Sequence, residues 1–343
     1  MADSWFELGQ KDQVDALEVA AGRSGRPVHL LEKDIWVVWA LSVIYGSPMG
    51  HTLTFKGGTS LSKVYRIIDR FSEDIDLTYD IRALVPDLLN EGEPIPTSSS
   101  QVKKISSEVR ARLPVWIERA VLPHFEEAVL HTGRKVVLSI AGKDRDKLLI
   151  SYDAVRTGTG YAAPTIQLEF GARATGEPHQ VLPVQCDMAA HIEGVDFPVA
   201  QPLVMAAERT FWEKATAAHV YCLQGRLRGE RYSRHWYDLA ALARSPIFES
   251  AVNDHALAMQ VAKHKSMFFA EKDLVGQWID YQQAVSGSLR LVPKGASLAA
   301  LERDYAAMLE DGLLSLHQPD FADLLKSCRA IEDRVRQSNL RKT

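Results

Sequence analysis

Two aspartates that alternate with apolar residues, Asp74 and Asp76 in the segment DIDLTYD at 74–80, are placed to act on one ligand. Along an extended strand, residues i and i+2 project to the same side and lie about 7 Å apart at the backbone. Their carboxylates can therefore converge on a shared cation. Hard cations such as Mg²⁺ prefer carboxylate oxygen together with substrate phosphate. The pattern favours metal-dependent chemistry on a phosphate group, although an isolated Asp-x-Asp is more often a solvated strand face.

A glycine pair, Gly57 and Gly58 in FKGGTS, precedes the acidic strand. Without side chains there, backbone amides at the start of a helix can approach a phosphate group. Thr59 and Ser60 add hydroxyl donors, and we expect Thr59 to cap a helix that runs to about Arg66. The segment is not a P-loop, because the GxxxxGK[ST] spacing is absent. A Gly-Gly pair alone is often just a turn, but the order strand, Gly-Gly, helix and acidic strand is rarer and favours a metal site.

A third carboxylate would complete such a site. Glu169 lies in TIQLEF on another predicted strand, between Leu168 and Phe170, and is the best candidate.

The segment KGGTSLSKVY followed by DRFSEDIDL resembles the signature of the AbiEii/AbiGii nucleotidyltransferases. These are the toxins of type IV toxin–antitoxin pairs, they include the MenT toxins, and they belong to the DNA polymerase beta-like nucleotidyltransferase superfamily. The resemblance implies that the turn at Lys56 to Ser60 holds a nucleoside triphosphate and that Ser72 contacts a phosphate oxygen. It further implies that Asp74 and Asp76 bind the metal, whereas Glu169 matches the third acidic position only loosely.

A lysine interrupts the apolar face of the segment at 203–222, which we predict to be helical: Lys214 shares that face with Ala207, Phe211, Ala218 and Tyr221. Its ammonium group either extends to solvent or has an anionic partner. Asp238, in the mostly apolar WYDLAAL of the next predicted helix, also needs a partner if it is buried.

The resemblance extends to ERTFWEK and SRHWYDL. It implies that Lys214 binds phosphate and that Asp238 positions this lysine or the attacking hydroxyl. The sequence departs from the family at His235, where many relatives have an aspartate, and this leaves the roles of Arg234 and His235 open.

Arginines cluster just before this helix, in GRLRGERYSRH. Together with Tyr232 and Trp236 they could grip an RNA backbone and stack a base. An ordinary solvated loop is an equally good interpretation. The four residues are Arg226, Arg228, Arg231 and Arg234.

The elements that must position these residues predict an α+β fold. Helices at 10–23 and 29–45 begin the chain, and a mixed or largely antiparallel sheet follows, with strands in HTLTF, DIDLTYD, KVVLSI, KLLISYDAV and PTIQLEFGAR. A long helical region at 101–131 is expected to be interrupted near Pro114 and Pro123. We place a boundary near residue 200. Residues 1–200 would form a nucleotidyltransferase-type sheet domain flanked by helices, and 201–343 a C-terminal helical bundle that adds Lys214 and Asp238 to the cleft.

Composition restricts the function classes further. With 40 Lys and Arg against 44 Asp and Glu, the 343-residue chain is slightly acidic, so RNA binding would need a local basic patch. Three scattered cysteines argue against a disulfide framework or a zinc site. The N-terminus lacks the pattern of a signal peptide, and the apolar run IWVVWALSVIYG is too short to span a bilayer. A reducing cytoplasm fits best.

The resemblance implies a toxin nucleotidyltransferase that uses Mg²⁺, or Mn²⁺, to transfer a nucleoside monophosphate from a nucleoside triphosphate to RNA. The expected acceptor is the 3′ end of a tRNA, the expected partner is a cognate antitoxin, and the expected role is abortive infection as a phage defence. Three alternatives stay open: a nucleotidyltransferase that modifies small molecules such as antibiotics, a phosphotransferase toxin that moves the γ-phosphoryl group, and a binding module without catalysis.

Overall fold

The chain divides into two compact units. The computed structural model describes residues 3–89, 96, 98–156, 163–225, 227, 231–310 and 319–340. The first unit comprises Met1–Val64, Phe71–Pro94 and Lys103–Met205, and the second comprises Tyr65–Arg70, Ile95–Val102 and Ala206–Thr343.

Eleven strands are present in the described part of the chain, all in the first unit. They are β1 Asp3–Ser4, β2 Leu53–Lys56, β3 Asp74–Asp80, β4 Val136–Ala141, β5 Lys147–Tyr152, β6 Thr165–Ala174, β7 His179–Val181, β8 Val184–Gln185, β9 Val195–Asp196, β10 Val199–Ala200 and β11 Leu203–Met205.

Thirteen α-helices are present in the same described ranges. They are α1 Gln10–Ser24, α2 Val28–Tyr45, α3 Gly57–Lys63, α4 Ile81–Leu84, α5 Ser99–Trp116, α6 Leu122–Leu130, α7 Ala207–Gln224, α8 Ser233–Ala243, α9 Ile247–Asn253, α10 His255–Phe268, α11 Tyr281–Gln283, α12 Ala296–Glu310 and α13 Phe321–Leu340. The α+β prediction is confirmed.

A seven-stranded mixed sheet forms the centre of the first unit, in the order β4-β5-β6-β3-β2-β11-β7. The pairs β6/β3 and β2/β11 are parallel, and the other neighbouring pairs are antiparallel. Strands β3 and β6 therefore begin at the same end of the sheet. Asp74 and Asp76 of β3 lie at this end.

One face of the sheet is apolar and the other is polar, as the period-two pattern predicts. The buried face carries Leu148, Ile150, Tyr152, Ile75, Leu77, Tyr79, Ile166, Leu168 and Phe170. Helix α2 packs here, and Trp36 stacks on Tyr152 with ring centroids 4.8 Å apart. On the other face, Asp74 and Asp76 are only half-buried, whereas Thr78, further along β3, is buried.

Two sequence predictions of element boundaries are wrong. The helix expected from residue 203 begins at Ala207, because Leu203–Met205 is a strand that pairs with both β2 and β7. A buried strand of this kind is continuously apolar and shows no alternation. The second error, at Thr59, concerns the site and is described below.

The helical region at 101–131 is interrupted between Pro114 and Pro123, as the prolines predict. Helix α5 ends at Trp116, a π-helical turn spans Ile117–Val121, and α6 begins at Leu122.

Helices build the described part of the second unit. Its core contains large aromatic residues whose polar atoms are satisfied by backbone carbonyls. Trp212 Nε1 donates to the Ala251 carbonyl at 3.0 Å, and Trp236 Nε1 donates to the Leu291 carbonyl at 2.6 Å. Among the described helices of the whole chain, none is long and apolar enough to cross a membrane.

Candidate functional site

A row of charged residues crosses four neighbouring strands on the polar face of the sheet. The register pairs Lys56 of β2 with Asp76 of β3, Asp76 with Glu169 of β6, and Glu169 with Lys147 of β5. Directly paired residues project to the same face, with Cβ atoms roughly 4.5–5.5 Å apart. Together with Asp74, two positions before Asp76 on β3, these residues form what we call the acidic row. It contains three carboxylates and two ammonium groups.

Polar contacts hold the outer members of the acidic row. Lys147 Nζ lies 2.7 Å from Glu169 Oε2, in a pair that is partly open to solvent. Gln167, which is paired with Asp74, has its Nε2 3.5 Å from both Asp74 Oδ1 and Glu169 Oε2. Burial would lower the pKa of Lys147, but the Glu169 carboxylate, helped by nearby aspartates, raises it on balance. Lys147 therefore stays charged at neutral pH.

Gly57 lies directly against the Asp76 carboxylate. Its φ of +82° is in the left-handed region that favours glycine. A Cβ at this position would lie 2.0 Å from Asp76 Oδ2, which no side chain can tolerate without displacing the carboxylate. The first glycine of the pair thus has a definite task, which is to let the backbone turn closely past an acid of the row.

The hydroxyls of Thr59 and Ser60 build this turn from within. Helix α3 begins at Gly57, after Lys56, and no side chain caps it, so the prediction that Thr59 is the cap is wrong. The Thr59 hydroxyl donates to the Asp74 carbonyl at 2.5 Å, and its oxygen is 2.9 Å from Ser72 Oγ. The Ser60 hydroxyl donates to the Gly57 carbonyl at 3.0 Å. Both side chains are fully buried, so their hydroxyls fix the backbone around Asp74 and Gly57.

The donor set of the acidic row fits a hard divalent cation that shares its ligands with a phosphate. No three Asp, Glu, His or Cys side chains among the described residues form a ready-made metal cage. Mg²⁺ does not require one, because proteins commonly bind it through one or two carboxylates and substrate phosphates. Asp74 and Asp76 supply two carboxylates on one face, and the Gly57 backbone passes close beside the second. The residues present therefore fit such an ion.

A second charged cluster lies in the second unit and consists of Arg70, Lys214 and Asp238. Arg70 binds the Asp238 carboxylate with two hydrogen bonds, from Nε at 2.7 Å and from NH2 at 2.8 Å. Lys214 Nζ lies 2.9 Å from Asp238 Oδ2. Asp238 is fully buried, and the two cations are nearly so. The ammonium group of Lys214 therefore has an anionic partner and does not extend to solvent, which were the two alternatives that the sequence left open.

The charge state of Asp238 follows from these contacts. Burial alone would raise the pKa of this carboxyl, but the Arg70 guanidinium and the Lys214 ammonium hold it well below its ordinary value. A carboxylate with so low a pKa is a weak base. The 2.9 Å contact holds Lys214 beside Asp238, and both expected roles of Asp238, positioning this lysine and helping to deprotonate an attacking hydroxyl, stay predictions.

The basic loop before α8 is only partly described. Arg226 and Arg228 lie outside the described residues. Arg231 is exposed, and its backbone N–H donates to Asp304 Oδ1 at 2.6 Å. Arg234 is half-buried in the first turn of α8.

Two neighbours of these arginines have surroundings that limit their roles. Trp236 is fully buried, so the suggestion that it stacks on an RNA base is wrong. Burial and the Lys214 charge lower the pKa of His235 to about 3, so its ring is neutral at neutral pH.

Sequence reasoning missed two charged residues of these clusters, Lys147 and Arg70. Both have a signal that can be seen in retrospect. Lys147 opens a strand whose alternate residues are apolar, and Arg70 stands in DRFSEDID, immediately before the acidic strand. Neither signal identifies the carboxylate that the residue contacts.

Comparison with known proteins identifies a family and a similar solved structure. The family described as nucleotidyl transferase AbiEii toxin, type IV toxin–antitoxin system, matches residues 39–327 of the chain. Among solved structures, the chain is similar to MenT4, a nucleotidyltransferase toxin from Mycobacterium tuberculosis H37Rv, with 18% identity and a TM-score of 0.44 over 95% of this chain and 88% of that one. No curated protein matches the chain.

Proposed function

Because the chain belongs to the AbiEii family of nucleotidyltransferase toxins from type IV toxin–antitoxin systems, we propose that it transfers a nucleoside monophosphate from a nucleoside triphosphate to an RNA acceptor, the 3′ end of a tRNA. Membership of the family accounts for the nucleotidyltransferase activity, the nucleoside triphosphate substrate, a divalent metal ion in general and an antitoxin partner. The acceptor, Mg²⁺ as the metal ion and the roles of individual residues are our proposals.

One observation carries the proposal: the register that places Asp76 beside Glu169 while the Gly57 backbone passes against the Asp76 carboxylate. A solvated acidic strand would need neither the glycine nor the paired acid on the neighbouring strand. Asp74 and Asp76 would hold the divalent ion, with Glu169 as a third carboxylate. Mg²⁺, or Mn²⁺ in its place, would supply neutralisation of the triphosphate charge.

The chain's own groups then have separate tasks. Backbone amides of the turn at Gly57 and Gly58, with Lys56 beside them, bind the phosphate tail. Ser72 donates to a phosphate oxygen. Thr59 and Ser60 support the turn from within, as their hydrogen bonds to carbonyls indicate.

The reaction replaces a phosphoanhydride bond of the nucleoside triphosphate with a phosphodiester bond to the acceptor. The acceptor hydroxyl oxygen forms a bond to the α-phosphorus, the bond between that phosphorus and the pyrophosphate oxygen breaks, and pyrophosphate leaves. The hydroxyl proton passes to a carboxylate of the acidic row. Lys214 binds the negative charge of the phosphate tail, and Asp238 holds the lysine in place through the 2.9 Å contact.

RNA recognition is proposed to involve the basic loop, with Arg226, Arg228, Arg231 and Arg234. Since the whole chain is slightly acidic, a local basic patch is required for RNA binding. We further propose a cytoplasmic location, where nucleoside triphosphates and tRNA occur together, a role in abortive infection of phage-infected cells, and neutralisation by an antitoxin encoded in the same operon.

The test is incubation of the purified protein with total RNA, Mg²⁺ and each α-labelled nucleoside triphosphate in turn, followed by gel analysis. A labelled band of tRNA size is expected. Transfer of γ-label instead would show a phosphotransferase, and label on an added aminoglycoside but not on RNA would show a small-molecule enzyme. Growth inhibition that survives both Asp74→Ala and Lys214→Ala would show a binding toxin without catalysis.

A further inference from the structure

Three consecutive charged residues, Glu32, Lys33 and Asp34, are buried inside helix α2. Each is only 3% exposed, and they stand between the fully buried Leu31 and Ile35. A buried charge is costly unless it is paired and hydrogen-bonded. We call these residues the α2 charged triplet, and the partner of each lies in a different segment of the first unit.

Lys33 joins the starting ends of the two strands that carry the acids. Its Nζ lies 2.5 Å from Glu73 Oε2 and donates to the Ala163 carbonyl at 2.7 Å. Glu73 immediately precedes Asp74, the first residue of β3, and Ala163 lies two positions before β6. Because β3 and β6 are paired in parallel, one ammonium group fixes both strands at the edge where Asp74 is found.

Asp34 fixes the helix that follows the glycine turn. Asp34 Oδ1 lies 2.6 Å from Lys63 Nζ, and Asp34 Oδ2 accepts the Asp187 backbone N–H at 2.6 Å. Lys63 is the last residue of α3, whose first residue is Gly57. The ion pair therefore anchors the far end of the helix that brings Gly57 against Asp76.

Glu32 holds the segment that enters β6. Its carboxylate accepts the Val155 backbone N–H through both oxygens, at 2.9 Å and 3.1 Å. Val155 follows β5 closely, on the connection that leads to β6 and Glu169.

We propose that the α2 charged triplet positions the acidic row, and that Lys33 sets the placement of Asp74 relative to the acids beside it. Stability alone does not require these charges, since replacing a buried ion pair with well-packed apolar residues often leaves the stability of a protein unchanged or raises it. The charged residues fix positions that apolar packing would leave less defined. Each of their contacts holds one particular atom of a segment that leads to the acidic row or to the Gly57 turn. The inference rests on the proposed function, as it takes the acidic row to be the metal-binding group.

The experiment measures Mn²⁺ binding to the full-length protein by electron paramagnetic resonance, with no RNA present and with a nucleoside triphosphate analogue that cannot be cleaved between its α- and β-phosphates, because the ion shares its ligands with the substrate phosphates. Lys33→Met removes the ammonium and keeps most of the side-chain length, and Glu73→Gln removes the opposite charge at a more exposed position. Residues that orient metal ligands typically change metal affinity by about 10–100-fold when they are replaced, and we expect a weakening of that size for both variants. Lys33→Arg should restore most of the affinity.

Ile44→Ala serves as the matched control, because Ile44 is fully buried on the same helix and its side chain is apolar. It should lower the melting temperature at least as much as Lys33→Met while leaving Mn²⁺ affinity unchanged. Faster amide hydrogen exchange at Ile75 and Ile166 in Lys33→Met, but not in the control, would support the same mechanism.

Two results overturn the inference and can be told apart. If the parent protein does not bind Mn²⁺, or if Asp76→Asn binds it as tightly as the parent, the proposed function itself fails. If the parent binds Mn²⁺ through Asp76 but Lys33→Met and Glu73→Gln bind it as tightly as Ile44→Ala does, only the positioning role fails.

Discussion

The acidic row and the cluster of Arg70, Lys214 and Asp238 solve opposite electrostatic problems. The acidic row has three carboxylates for two ammonium groups on a half-open sheet face, whereas the cluster has two cations for one fully buried carboxylate. An excess of carboxylate oxygen suits a divalent cation, and an excess of positive charge suits a polyphosphate.

The two regions also differ in how they are held. In the acidic row, strand register and a glycine that admits no side chain place the carboxylates, so backbone geometry dominates. In the cluster, the charges themselves hold one another, and the carboxylate has no exposed surface. Substitutions in the row should therefore affect activity with little cost in folding, and removal of the carboxylate from the cluster should affect folding directly.

Asp76→Asn should produce the largest effect on activity. The substitution keeps the size of the side chain but removes one carboxylate charge, so transfer of α-label to RNA is expected to fall about a thousandfold or more, roughly 4 kcal/mol in the barrier. Asp80→Asn, at the other end of β3, is the control and should stay close to the parent. Equal activity of the two variants would remove Asp76 from the site.

Asp238→Asn should cause the largest loss of stability. It leaves the buried Arg70 and Lys214 without their carboxylate, which typically costs about 3 kcal/mol or more in the free energy of unfolding. Lys214→Met keeps the bidentate Arg70–Asp238 pair, so it should destabilise less while still lowering the transfer of α-label to RNA. Urea unfolding measures both variants, and similar stability of Asp238→Asn and the parent would contradict the comparison.

Gly57→Ala tests whether the close approach of the Gly57 backbone to the acidic row is needed for activity. The added Cβ would meet Asp76 Oδ2 at 2.0 Å, and a carboxylate displaced by about 1 Å can cost roughly a hundredfold in rate. Gly25→Ala is the matched control, because Gly25 has a similar φ of +72° but has open space where a Cβ would stand. Both should show the left-handed backbone strain of about 1–2 kcal/mol, and only Gly57→Ala should lose activity.

The pH dependence of unfolding tests whether the ionised Asp238 carboxylate stabilises the cluster. The folded-state pKa of Asp238 is depressed, so its contribution to stability is fully present above the ordinary carboxyl pKa near 4 and is lost as the pH falls through the lower folded value. Each unit of depression is worth about 1.4 kcal/mol. Between pH 4 and pH 2, the parent should lose more stability than Asp238→Asn does, and parallel curves would show that the carboxylate carries no such linkage.

Local patterns were enough to predict some of these features, and pairing across the chain explains the others. The alternation in DIDLTYD predicted strand β3 and the shared face of Asp74 and Asp76, because a strand has a period of two. The contact of Arg70 with Asp238 spans 168 residues, and no local pattern encodes it. Thr59 has the residue type of a helix cap, but α3 begins at Gly57, three residues before the helix that a Thr59 cap predicts, and Gly57 adopts a positive φ there.

Local sequence patterns also did not encode the pairing between strands that forms the acidic row. Glu169 was chosen for its apolar neighbours, whereas its position beside Asp76 depends on the register of β3 against β6. That register is set by which apolar residues of both strands share the buried face. A shift by one residue would turn every one of them to the polar side.

Lys147→Met tests the edge of the acidic row and should have the smallest effect. Its pair with Glu169 is partly exposed, and such pairs contribute roughly 0–1 kcal/mol to stability. If Lys147 only holds Glu169 in place, the melting temperature will hardly change and the metal dependence of the reaction will shift modestly. Since the substitution removes a positive charge beside three carboxylates, Mn²⁺ should bind somewhat more tightly. Weaker Mn²⁺ binding would instead mean that the orientation of Glu169 affects the affinity more than the local charge does. The arrangement of the acidic row would then depend on an internal ion pair, as that of the cluster does.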